Sequence, residues 1–250
     1  MPNLENKSSS NFVNYLFVGI VFLLFIALIL FFAEQLIPLW TMQVKTTSCD
    51  ISTYGKEHSS LAKEQNPLRV EIITDFDKLS ESKLALRRML MLTLKEKPYV
   101  VVFLGKVGED GKSQKKFVHM FYFLKQFKTV PEKIFVVPKR DLYEELLENT
   151  KKLIYYIDFF HRYNATVEFE GIEPIRDSLS FIMSSSVERV EYLKGILPGK
   201  VLILADDPKE KVDEVFPEIF IATKKPEGIK KPIPPYFLVL KKGITFLNLY

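Results

Sequence analysis

Two acidic clusters stand directly after apolar, β-branched runs, a placement well suited to chemistry. Val70-Glu71-Ile72-Ile73-Thr74 leads into Asp75-Phe76-Asp77, and Val201-Leu202-Ile203-Leu204 leads into Ala205-Asp206-Asp207. If both runs are strands of one parallel sheet, the four carboxylates gather at its carboxyl edge, where open α/β folds place their sites. Such a cluster can hold Mg²⁺, a hard cation that takes a few carboxylates with water and phosphate oxygens. The competing interpretation is local. Asp207-Pro208-Lys209-Glu210 supplies the N-cap, N1 and N3 residues of a helix start. Ser80 can likewise cap a helix beginning at Glu81, which leaves Asp75 and Asp77 as polar loop residues.

Other reactive patterns are weaker. Gly105-Lys106-Val107-Gly108-Glu109-Asp110-Gly111-Lys112-Ser113 ends like a phosphate-binding loop. Counted back from Gly111, however, the first glycine of that motif falls on Lys106. Glu109 and Asp110 would also carry negative charge into an electropositive cradle, so a solvated turn is expected. Cys49 is the only cysteine, which excludes an intrachain disulfide and any Cys-x-x-Cys pair. His58, His119 and His161 lack metal-ligand spacing and read as structural residues. Asn164-Ala165-Thr166 matches a glycosylation sequon, but three-residue patterns arise by chance, and it runs into an expected strand. The net charge of +4 is mild and well mixed, so nucleic acid is not an expected partner.

The elements that must position these residues follow a regular rhythm. Apolar runs begin at Val70, Tyr99, Ile134, Thr166 and Val201, roughly 30 residues apart, the length of one strand plus a crossover helix. Helix-period segments fill the intervals over Glu81–Lys95, Lys115–Phe127, Leu142–Tyr163 and Ile175–Leu197, the last open to a break at Ser184-Ser185-Ser186. Pro98, Pro131 and Pro198-Gly199 punctuate the strand starts. Near the end, Ile219–Ala222 predicts a short strand, and Tyr236–Leu240 with Ile244–Leu249 predicts a β-hairpin around Lys241-Lys242-Gly243. The aromatic-rich segments Phe117–Leu124 and Leu153–Phe160 are apolar nearly all round. They belong in the core of a sheet covered on both faces, or against a membrane or partner.

Phe12 to Ala33 contains no charge, with Tyr15 near its start and Trp40 beyond its end. About 20 apolar residues cross the hydrocarbon layer of a bilayer, and aromatic rings favour its two interfaces. The run exceeds a signal peptide's apolar core and no small-x-small cleavage site follows it, which favours a retained signal-anchor. The expected organisation is a disordered tail over 1–11, a transmembrane helix over 12–33, a polar juxtamembrane stalk over 34–67 and one domain over 68–250. That domain is expected to be α/β, three-layered, with a mainly parallel sheet and a C-terminal β-hairpin. The short tail favours a cytoplasmic N-terminus and an extracytoplasmic domain at the cell membrane.

Two partial family resemblances bear on function. Asp75-Phe76-Asp77 and Asp206-Asp207 resemble two of the four motifs of the haloacid dehalogenase-like phosphohydrolases. That resemblance implies Asp75 as nucleophile, Asp77 as acid/base, and Asp75, Asp206 and Asp207 as Mg²⁺ ligands. Leu79 stands where the family has threonine, and no intervening strand ends in the expected serine or threonine. Ile233-Pro234-Pro235 before Tyr236–Leu240 resembles the cis-proline and hairpin of the thioredoxin-like fold over the last fifty or so residues. Without a cysteine after Leu104, such a domain has no thiolate and is redox-inactive. The expectation is therefore a single-pass membrane-anchored α/β domain that serves as a non-catalytic interaction or assembly module without a cofactor. Its partners are the membrane, through residues 12–33, and an unidentified protein. The alternative is the Mg²⁺-dependent phosphohydrolase using Asp75.

Overall fold

In the computed structural model the uncharged run lies inside one continuous helix, α1 (Asn6–Thr41), of 36 residues, about 54 Å long at the α-helical rise. The structure describes residues 6–49, 67–105, 107–108, 114–127, 131–176, 179–184, 200–204, 219–222, 237–239 and 242–249. The stretch Asn14–Thr41 is long and apolar enough to cross a membrane, and every residue from Tyr15 to Phe32 is exposed. The segment expected to be a stalk, with some helix just outside the membrane, begins with helix and adds a strand. The helix runs on to Thr41, and the single buried residue Met42 separates it from strand β1 (Gln43–Cys49). Residues 50–66 lie outside those described.

The expected βα rhythm is present. Strands β2 (Leu68–Thr74), β3 (Val100–Gly105), β4 (Lys133–Pro138) and β5 (Ala165–Val167) are parallel neighbours. Between them lie α2 (Phe76–Ser80), α3 (Lys83–Glu96), α4 (Gln114–Leu124), α5 (Arg140–Glu148) and α6 (Thr150–His161). The segment expected as one helix over Leu142–Tyr163 breaks at Asn149, whose side chain accepts from Lys152 N and starts α6. Because each crossover advances the same way across the sheet, right-handed connections place all these helices on one face. The packing agrees: Ile73, Val101, Phe103, Ile134 and Val136 meet helix residues Phe76, Met89, Phe123, Leu146 and Phe160. Phe76, Phe103 and Phe123 form an edge-to-face trio with centroids 5.3, 5.5 and 5.8 Å apart, each contact adding about 0.5–1.5 kcal/mol beyond burial.

The opposite face is covered by a second sheet rather than by helices. It comprises β6 (Glu170–Arg176), β7 (Leu179–Ser184), β8 (Lys200–Leu204), β9 (Ile219–Ala222) and β10 (Phe237–Val239), in the order β10-β9-β8-β7-β6. Its Ile175, Phe181 and Met183 join Val70, Ile72, Val102, Phe135 and Val137 in a second core. The helix expected from Ile175 is thus corrected over its first ten residues to the antiparallel pair β6 and β7. The alternation in Ser180-Phe181-Ile182-Met183 buries Phe181 and Met183 together against the first sheet.

The expected C-terminal hairpin is also corrected. β10 pairs with β9 in the second sheet, whereas β11 (Gly243–Leu249) returns to the first and lies between β1 and β2. The order there is β1-β11-β2-β3-β4-β5. All seven residues of β11 are buried, an outcome that pairing with the three-residue β10 could not provide. The domain is therefore α/β with a mixed, mostly parallel sheet, carrying helices on one face and a second sheet on the other.

Candidate functional site

The carboxyl edge of the first sheet is where the sequence places its chemistry, and the structure gathers there the residues after β2, β3 and β4. Asp75 follows β2 in the left-handed conformation, φ 55, and starts α2 without a side-chain cap hydrogen bond. Its carbonyl accepts from Lys78 N and Leu79 N, each at 3.1 Å. Asp77 is buried, 4% exposed, and its Oδ1 accepts the Gly108 N–H at 2.8 Å. The carboxylate thus fastens the turn after β3, where Gly105 and Gly108 both hold positive φ. The expected Ser80 cap is replaced by Ser82, whose hydroxyl accepts from Ala85 N, while Ser80 Oγ donates to the Asp77 carbonyl.

Asp206 and Asp207 lie outside the described residues. The strand before them, β8, belongs to the second sheet and β2 to the first, so the shared carboxyl edge required by the phosphohydrolase resemblance is not formed. Leu104, Gly105, Val107 and Gly108 belong to the edge, but Glu109–Ser113 lie outside the described residues. No group of three or more metal-ligating side chains occurs among the described residues. The thioredoxin-like resemblance loses its hairpin in the same way, and Pro234 and Pro235 fall outside the description.

Beside Gly108 a cleft of about 290 Å³ opens between the turn after β3 and helices α4 to α6. Phe117, Leu142, Leu146 and Tyr156 line it, with Glu145 and Lys152 among its charged members. Tyr156 donates its hydroxyl to the Val107 carbonyl at 2.7 Å, and Lys152 Nζ stands 3.1 Å from Glu145 Oε1. Chemically this is an apolar recess beside an ion pair, suited to holding a side chain or acyl group. At the same edge Glu168 is raised above the usual carboxylate range, first by burial and then by the charge of Glu173.

One buried acid lay outside the sequence candidates. Glu71, in the middle of β2, is fully buried, and desolvation pushes its carboxyl up to about 8. Thr93 Oγ1 stands 2.7 Å from Glu71 Oε1 and 3.0 Å from the Met89 carbonyl. The hydroxyl has one hydrogen. Both contacts are satisfied when protonated Glu71 donates to Thr93 and Thr93 donates to Met89. The negative charge of Glu96 also raises Glu71. Its sequence signal was a lone acid inside an otherwise apolar run.

No protein-family model, curated protein or solved structure matches this chain. The geometry therefore carries the functional argument alone. Replacing Asp77 with alanine leaves the buried Gly108 N–H without its acceptor and is expected to cost about 1–3 kcal/mol, read as a lower melting temperature of the full chain. An unchanged melting temperature would refute the fastening role.

Proposed function

We propose that the chain is a single-pass, membrane-anchored α/β domain that acts as a non-catalytic interaction or assembly module, with the domain on the extracytoplasmic side. The observation that carries this reading is the joint between α1 and β1, where Met42 alone connects helix to sheet and is itself buried in the helix-side core. The Gln35 carbonyl accepts from Ser82 Oγ at 2.6 Å, and Gln35 Oε1 accepts from Lys83 N at 2.9 Å. A segment cut away on export has no reason to continue into the packing of the mature domain. A retained helix, by contrast, gains a fixed angle to it. Such a joint suits a domain that presents one face to a partner in the same membrane. Asp77, the acid/base of the phosphohydrolase alternative, has a structural use, its Oδ1 accepting the Gly108 N–H.

The test is made on full chain purified from membranes. The intact mass should retain the apolar run, and the protein should resist alkaline extraction. With Mg²⁺ and a generic phosphomonoester it should show no turnover. A mass lacking residues 1–33 would overturn the anchor, and turnover abolished by Asp75→Asn would overturn the non-catalytic role.

A further inference from the structure

We infer that the domain is seated in the headgroup layer of the bilayer, with the start of α3 resting on anionic phospholipid phosphates. This deepens the proposed function and rests on α1 being a retained anchor. The first step is topological. Gln43 at the start of β1 is in register with Gly243, and Gly243 with Thr74 at the end of β2. Thr74 is in turn in register with Leu104 near the end of β3. α1 therefore joins the domain at the carboxyl edge of the parallel strands, and that edge faces the membrane.

The second step is depth. Tyr15 and Trp40, 78% and 76% exposed, are separated by about 38 Å along the helix. That distance matches a hydrocarbon layer with an aromatic belt at each face, roughly 40 Å including the polar regions. Ile37 is also exposed, so the apolar outer side of α1 continues beyond Ala33. Gln35 precedes Trp40 by just over one turn, hence lies deeper in the layer. Ser82 and Lys83 are hydrogen-bonded to Gln35, so the first turn of α3 sits at that depth.

The third step is chemistry. Lys83, Leu84, Arg87 and Arg88 are all exposed at the start of α3. Spacings of three and four place Leu84, Arg87 and Arg88 on one side of the helix. Among the described residues none of the three cations has an ion-pair partner. Their long stems can follow acyl surface while the charged heads reach phosphate, and Leu84, 45% exposed, can enter the acyl boundary. The occupant with both chemistries, continuous with α1, is an anionic lipid surface.

The experiment uses full chain in a Cys49→Ser background, reconstituted in vesicles of neutral phospholipid with or without an anionic phospholipid. An environment-sensitive label is placed through Leu84→Cys or, at the far edge, through Glu132→Cys. Quenching by brominated acyl chains is read for the label and for Trp40, the only tryptophan. Trp40 and the label at 84 should be quenched in anionic vesicles and the label at 132 should not. Neutralising Arg87 and Arg88 to glutamine should shift the seated-to-lifted ratio at 84 by about 30-fold, from roughly fivefold per basic residue at an anionic surface, leaving Trp40 unchanged. A label at 84 as exposed to water as that at 132, with Trp40 still quenched, overturns the seating alone. Equal quenching in neutral vesicles, unaffected by Arg87→Gln and Arg88→Gln, overturns the phosphate contact. Loss of Trp40 quenching overturns the anchor itself.

Discussion

Replacing Glu71 with glutamine flattens the loss of stability that the native chain suffers between pH 4.5 and about 8. The sign follows from burial. A carboxyl raised on folding keeps, in the native state, a proton that the unfolded chain releases near 4.5. Stability therefore falls as pH rises through this window, and the full cost is present above 8. Below 4.5 both states are protonated and the residue costs nothing through ionisation. The separation between 4.5 and about 8 corresponds to about 5 kcal/mol. Glutamine keeps the shape and a donor for Thr93 but cannot ionise. Its second amide N–H, left without a partner, adds a cost that does not vary with pH, so the slope is the diagnostic. Melting of the full chain in nanodiscs across pH 4.5–9 should show a steep decline for the native protein and a shallow one for the variant. Parallel profiles would show that Glu71 does not carry the decline.

The four parallel strands of the first sheet were legible because their signals are local. Each is a β-branched run, and proline stands shortly before β3 and β4. The second sheet was less so. β7 was hidden because Leu179–Ser184 can be aligned with either a helical or an alternating period, and only burial of Phe181 and Met183 against the first sheet decides between them. Strand β1 reads as polar linker, since an edge strand needs few apolar residues, and its partner β11 lies about two hundred positions away. At the site, Asp77 was recognisable as a carboxylate at the sheet's carboxyl edge, but neither its burial nor its role was. Nothing in Asp75-Phe76-Asp77 reveals that Gly108, in the turn after the next strand, would claim it. The bond from Ser82 to Gln35 is similarly non-local: a serine before an apolar run announces a helix cap, not a contact with α1.

Gly243→Ala is expected to unseat the joint between α1 and the domain, at a cost of about 3 kcal/mol or more. Gly243 holds φ +142, which L side chains rarely adopt, and a Cβ there would overlap the Gln43 carbonyl oxygen, a backbone atom that cannot rotate aside. The position is held from both sides. Gly243 N donates to Thr74 Oγ1 at 3.0 Å, and Gln43 N donates to the Lys242 carbonyl at 3.2 Å. Displacing it therefore strains the β1–β11 and β11–β2 pairings together. Because β1 follows α1 directly, the same change should also loosen the domain on that helix. Two measurements on full chain in nanodiscs separate these effects from a general loss of fold. Melting temperature reports the strain, and protease susceptibility of β1 reports the joint. Lys242→Ala leaves the backbone contact to Gln43 intact and should stay within about 0.5 kcal/mol of the native chain. If Gly243→Ala melts like Lys242→Ala and leaves β1 protected, the sheet tolerates a side chain there. The rigid coupling of helix to domain would then lack the constraint assigned to it.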